Sequence, residues 1–227
     1  MGLLDLPAEL RLRIYDYLPE LCPDRQGSVA PNFNTPAVCR ASRQLHNETL
    51  PIYAGNSHFE IEIDESMNDQ ASRMTSWLRA LGPLGVGHVR SLQLNCHWDI
   101  RQPIRWQGHV GFYIRLVKAN DAWQCTAGTY PFARDTRDMR LQSVELVQHV
   151  VKQEVLQPIA TRDKQALRCS DVELAVAAMG IVASHPISTS DTEQGELGRT
   201  RRREIWLDME GQLFALNADK SPGAGGR

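Results

Sequence analysis

An α+β fold, in which N-terminal helices lead into a mixed β-sheet with further helices packed on it, is what the sequence predicts from three features. Leu6, Leu10, Ile14 and Leu18 recur every four residues, the spacing of one side of a helix. Phe59, Ile61 and Ile63, and again Leu92, Leu94 and Cys96, alternate with polar residues on either side of a helical pattern at Asp69–Leu81, giving a strand–helix–strand unit. A third alternating run, Val110, Phe112, Ile114 and Leu116, meets a turn-forming Ala119, Asn120 and Asp121, and two more helical patterns follow it.

The first helix is expected over Leu3–Leu18, with Pro7 at its first position and Asp5 capping its free amides. Its stripe needs cover, either from the chain's own core or from a partner's groove. Residues 19–36 are rich in loop formers, Pro19, Pro23, Gly27, Pro31, Asn32, Asn34 and Pro36, and read as a long loop. Ala37–Tyr53 returns to helical spacing with Val38, Ala41, Leu45 and Leu50 inward, and Gly55 and Asn56 are suited to end it in left-handed conformation. The strand at Phe59–Ile63 has one wet face, made by His58, Glu60, Glu62 and Asp64. Met74, Trp77, Leu78 and Leu81 form the inward side of the next helix, which Gly82 and Pro83 should stop. A right-handed crossover pairing the two flanking strands in parallel is the expected topology.

After an irregular stretch from Cys96 to Arg105, the runs around Asn120 predict a β-hairpin that continues through Trp123, Cys125 and Tyr130. Asp138–Gln157 reads as a helix closed by Pro158, with Leu141, Val144, Val147 or Val151, and Leu156 inward. Ser170, Asp171, Val172 and Glu173 have the form of a capping box opening a helix through Leu174, Ala175, Ala178, Met179 and Val182. These observations divide the chain into a helical element at 1–56 that contains the 19–36 loop, and an α+β region at 57–183 sharing its core. A polar mobile linker at 184–200, a docked segment at 201–220 and a flexible tail at 221–227 complete it. The docked segment reads equally as a hairpin around Glu210 and Gly211 or as a short helix.

Composition narrows the function. The chain has 227 residues, 42% apolar and 23% charged, with a formal net charge of −2. That balance offers no electrostatic argument for nucleic acid or membrane, so the expected partners are proteins. Cys22, Cys39, Cys96, Cys125 and Cys169 are scattered singly, and the chain opens without a basic and then apolar leader. Both features predict an intracellular protein with reduced thiols, in the cytoplasm, the nucleus or both. The basic run Arg199, Arg201, Arg202 and Arg203 reads as a solvated cluster or as a nuclear-localisation signal.

Motifs with chemistry are sparse. Cys39 and His46 lie seven residues apart near one side of a predicted helix, which a buried thiol beside a surface imidazole explains as well as a nucleophile and its base. Cys96 and His97, with His88 and His109 around them, lack the paired spacing of a zinc site. Gly82, Gly85 and Gly87 follow a helix and open a strand, the reverse of a phosphate-binding loop, and read as a connector. The expectation is no catalysis, no cofactor and no metal.

Two segments carry a family resemblance. L-P-A-E-L-R-L-R-I-Y-D-Y-L at Leu6–Leu18 resembles the first helix of an F-box. Val38, Cys39, Arg40, Ser42, Arg43, Gln44, Leu45 and Glu48, then Pro51, Ile52, Tyr53, Gly55, Asn56 and Phe59, resemble the C-R-x-x-R-x-x-x-E helix and Y-x-x-N-x-F strand that follow it. Together they cover about the first sixty residues and are similar to the divergent F-box-like domain of filamentous fungi. The resemblance implies recruitment of substrate proteins to an SCF-type ubiquitin ligase through its Skp-type adaptor, with Leu6, Pro7, Leu10, Ile14, Val38 and Leu45 as docking positions. The alternative is a self-contained, non-catalytic interaction or structural domain that does not bind the adaptor and whose same apolar residues are internal core. Accessibility of those six residues separates the two.

Overall fold

Residues 3–5 form a single 3-10 turn, and Pro7 then leads into α1, Ala8–Tyr15. The computed structural model describes residues 2–22, 28–29, 35–63, 67–97, 111–130, 137–185 and 196–218. Asp5 does not cap α1; its carboxylate accepts the Gly2 N–H at 2.6 Å and closes the turn before it. The expected second helix is two, α2 (Ala37–Ala41) and α3 (Arg43–Asn56), broken at Ser42. Ser42 is extended, and its hydroxyl accepts the Leu45 N–H at 3.2 Å, so a serine that helical periodicity overlooks acts as an N-cap. The break turns Cys39 rather than Ala41 inward. Gly55 and Asn56 keep ordinary backbone angles, and α3 ends without a left-handed residue.

β2 (His58–Ile63), α4 (Met67–His88) and β3 (Ser91–His97) realise the strand–helix–strand unit, with β2 and β3 parallel and Phe59 opposite Leu92. Helix α4 breaks at its expected stop and then restarts. Gly82 takes a left-handed φ of 59° that only glycine adopts without strain, and the chain resumes helical turns from Pro83 to His88. β4 (Gly111–Ala119) and β5 (Ala122–Thr129) form the predicted hairpin. Its two-residue turn places Asn120 and Asp121 at φ 51° and 59°, the doubly left-handed geometry that matches strand twist. β4 pairs antiparallel with β3, and a two-residue strand β1 (Ser28–Val29), inside the expected loop, pairs parallel with β2 at the edge. Two residues are too few for any alternation to signal. The mixed sheet therefore has the order β1-β2-β3-β4-β5.

Helix α5 (Arg137–Val151) passes through a π-turn at Lys152–Leu156 into the short α6 (Gln157–Ala160), carrying the chain two residues beyond Pro158. Helix α7 spans Cys169–Ser184. Its cap differs from the predicted one: Asp171, not Ser170, closes it by accepting the Arg168 N–H at 2.8 Å. The same carboxylate takes the Arg162 guanidinium fork at 2.5 and 2.9 Å. The C-terminal segment is a helix and not a hairpin, α8 (Glu196–Ala218), docked on α7 through Met209 and Leu213. Residues 196–200 of the expected mobile linker thus belong to α8, while 186–195 and the expected tail lie outside the described residues.

Helices α4, α5 and α7 lie against the sheet, and Trp77 of α4 meets Phe59 with ring centroids 5.2 Å apart. Phe59, Ile61, Leu92, Leu94, Phe112, Ile114 and Leu116 form the buried side of the strands. The opposite side carries Glu60, Glu62, Gln93, Asn95, Tyr113 and Arg115. One apolar cluster runs from Tyr15 through these strands to Leu213, so the N-terminal helices and the sheet share a core.

Candidate functional site

Helix α1 is fixed to the body through its polar side. Arg11 and Tyr15, four residues apart, are its buried residues, and both reach Glu48 on α3. The Arg11 guanidinium donates to the Glu48 carboxylate twice, Nε to Oε2 at 3.0 Å and Nη2 to Oε1 at 2.6 Å, a bidentate fork. The Tyr15 hydroxyl donates to Oε2 at 2.7 Å, and Gln44 Nε2 donates to Oε1 at 3.1 Å. Four donors thus fill the acceptor sites of one carboxylate. Arg11 also donates through Nη1 to the Leu6 carbonyl, which sets the direction from which the chain enters α1. Hydrogen bonds from Arg11, outweighing burial, hold the Glu48 carboxyl down to about 2. Burial, and then the bond to Glu48, pushes the Tyr15 phenol up to about 12. Behind α1, Leu21 is fully buried and its carbonyl accepts from Asn56 Nδ2 at 3.4 Å, tying the exit of the helix to the end of α3.

With Arg11 and Tyr15 turned inward, the apolar residues beside them are left outside. Leu10 is 46% exposed, Ile14 38% and Tyr17 86%, and Leu3, Leu4 and Leu12 are exposed as well. Of the six docking positions expected from the sequence, Pro7, Leu10 and Ile14 lie on the surface and Leu6 and Val38 are half-buried. Leu45 is 8% exposed and packs in the core, because the Ser42 break points the first turn of α3 inward. Sequence reading missed Arg11, Tyr15 and Glu48 as a unit. The signal was present in the i, i+4 spacing of Arg11 and Tyr15, but their acceptor lies 37 and 33 residues away.

The thiol and imidazole candidates are placed apart in role. The His46 ring meets the Cys39 carbonyl at 3.0 Å, while the Cys39 thiol accepts from the Thr49 hydroxyl at 3.2 Å. Burial pushes the Cys39 thiol up, away from a reactive thiolate. The His97 ring stacks on Tyr130 at a centroid distance of 6.0 Å. Among the described residues no three His, Cys, Asp or Glu side chains are grouped to hold a metal ion, and His109 lies outside them. Gly85 packs where a Cβ would come within 3.2 Å of Leu50, so the glycine-rich segment brings α4 close to α3. Among the described residues no helix is long and apolar enough to cross a membrane.

The fold and this surface describe an α+β protein whose most distinctive exposed feature is an apolar flank on an ion-paired helix. No family model, curated protein or solved structure matches the chain.

Proposed function

We propose that the N-terminal helices form an F-box-like docking element that recruits this chain, and a substrate protein bound elsewhere on it, to the Skp-type adaptor of an SCF-type ubiquitin ligase. The reading rests on one observation above the motif: Leu10 and Ile14 are exposed on a helix that the Arg11, Tyr15 and Glu48 contacts hold in a single orientation. Apolar side chains that stay on the surface of a fixed helix are available to a partner at little ordering cost. Leu45 favours the second reading, a self-contained interaction domain, since that part of the motif serves the internal core.

The test is co-purification with the Skp-type adaptor of the source organism. Wild-type chain captures it, and the double substitution Leu10→Asp and Ile14→Asp abolishes capture, because placing carboxylates in an apolar groove costs several kcal/mol. Both positions are exposed, so the variant keeps its melting transition. Wild-type chain that never captures the adaptor, or a double variant that captures it equally well, defeats the reading.

A further inference from the structure

The side of the sheet away from α4, α5 and α7 carries an aromatic and acidic cluster that adaptor docking does not use. Tyr113 on β4 lies across the strand pair toward β5, where Gly128 makes room for it: a Cβ at Gly128 would come within 2.7 Å of the Tyr113 hydroxyl. Tyr130 crosses the other way over Gly111, where a Cβ would meet its ring at 2.7 Å. The two glycines let both rings settle close to the sheet, with centroids 6.0 Å apart and tilted by 55°. Tyr113, Tyr130 and His97 all remain half-buried, not covered.

Two carboxylates adjoin these rings. Glu62, Asn95 and Tyr113 are direct cross-strand neighbours on β2, β3 and β4, and Glu60, Gln93 and Arg115 form the next row. Asn95, 2% exposed, donates to Glu60 Oε1 and accepts from Gln93 Nε2 at 2.9 Å, which holds the Glu60 carboxylate in place. Glu62 is exposed. Among the described residues neither glutamate has a basic partner. Arg115 stands two strands from Glu60 in the same row, and among the described residues no ion pair joins them. Burial pushes the Tyr130 phenol up to about 12, and every charge that adds to the shift, Glu60 and Glu62 foremost, acts in the same direction. Among the described residues, Glu60 and Glu62 are the carboxylates that act on the Tyr130 phenol, and both make the field there negative.

We propose that this face binds a cationic side chain, Lys or Arg, from a basic segment of a partner protein, seated on Tyr113 and Tyr130 and neutralised by Glu60 and Glu62. A ring face attracts a cation through its quadrupole, and an unpaired carboxylate beside it adds direct attraction. The same rings would stack a nucleobase, but its phosphates would meet the two glutamates, so a basic peptide fits the face and a polyanion does not. This inference goes beyond the adaptor reading and stands without it, because its test contains no adaptor.

The test is a titration of the full chain with a short glycine–lysine peptide, followed through the tyrosine ring signals by NMR. The signals of Tyr113 and Tyr130 shift and saturate, while those of Tyr15 and Tyr53, buried elsewhere, stay in place; a glycine–glutamate peptide of equal length moves none. Glu62→Gln weakens binding several-fold and Glu62→Lys about tenfold or more, in that order, with an unchanged melting transition because Glu62 is exposed. Absence of a saturable shift at Tyr113 and Tyr130 overturns the proposal. So does equal binding by the Glu62 variants, or saturation of the same signals by a single-stranded oligonucleotide, which would make the face a base-stacking surface instead.

Discussion

Helix α7 buries Val172, Leu174, Ala175, Ala178, Met179 and Val182, and its nearly continuous apolar surface lies between the sheet and α8. Helix α1 has Leu10, Leu12 and Ile14 available for the same purpose, yet buries Arg11 and Tyr15 and leaves all three outside. The contrast shows two ways of attaching a helix. Apolar burial, with the Asp171 fork at its start, holds α7 and turns its large apolar residues inward, whereas directional bonds to one carboxylate hold α1 and free its apolar residues.

The largest difference between the two helices should appear on truncation. Met179→Ala removes a fully buried side chain from α7, and urea unfolding should show a loss of about 2–5 kcal/mol. A loss below about 1 kcal/mol would mean that α7 repacks freely and that apolar burial does not fix it.

Glu48→Gln should act locally instead. The amide presents a donor to the Arg11 fork and has one acceptor oxygen left for Tyr15 and Gln44. Amide exchange across α1 should quicken about tenfold or more while α7 amides keep their protection, and adaptor capture should weaken although no surface residue has changed. Unaltered exchange in α1 would show that packing, and not the carboxylate, holds the helix.

Acid separates the two attachments in a third way. The Glu48 carboxyl titrates at about 2 in the fold and near the ordinary carboxyl value of 4.5 when unfolded. Its contribution is therefore complete above pH 4.5 and is lost as pH falls from there through about 2. Stability of wild-type protein should decline over that window more steeply than that of Glu48→Gln, in denaturant titrations at stepped pH. Parallel profiles would remove Glu48 as the source.

The smallest expected effect is that of Leu10→Ala, within about 0.5 kcal/mol in the free chain because the side chain is 46% exposed. A cost comparable to that of Met179→Ala would erase the distinction between the helices.

Much of the fold was legible because its signals are local. Alternation at Phe59–Ile63 and Leu92–Cys96, with helical spacing between, leads directly to β2, α4 and β3, and Asn120 with Asp121 marks the hairpin turn. Two polar or irregular local signals were read wrongly, since Ser42 breaks a helix and Glu196–Thr200 enters one, whereas the first run of α4 does end at Gly82. The Ser42 break is itself local, a cap on the Leu45 N–H, whereas in α8 core contacts outweigh weak local preference, as Met209 and Leu213 seat the helix on the core.

The sequence by itself determined that α1 is a helix with apolar and charged flanks, that two strands flank α4, and that Gly111, Tyr113 and Tyr130 belong to one hairpin. Only the tertiary structure decided which flank of α1 turns inward, and that the hairpin's tyrosines share the face away from α4, α5 and α7 with Glu60 and Glu62. Periodicity records that a helix has sides but not which neighbour each side will meet. That choice belongs here to Glu48, whose carboxylate binds Arg11 and Tyr15 across more than thirty residues of chain.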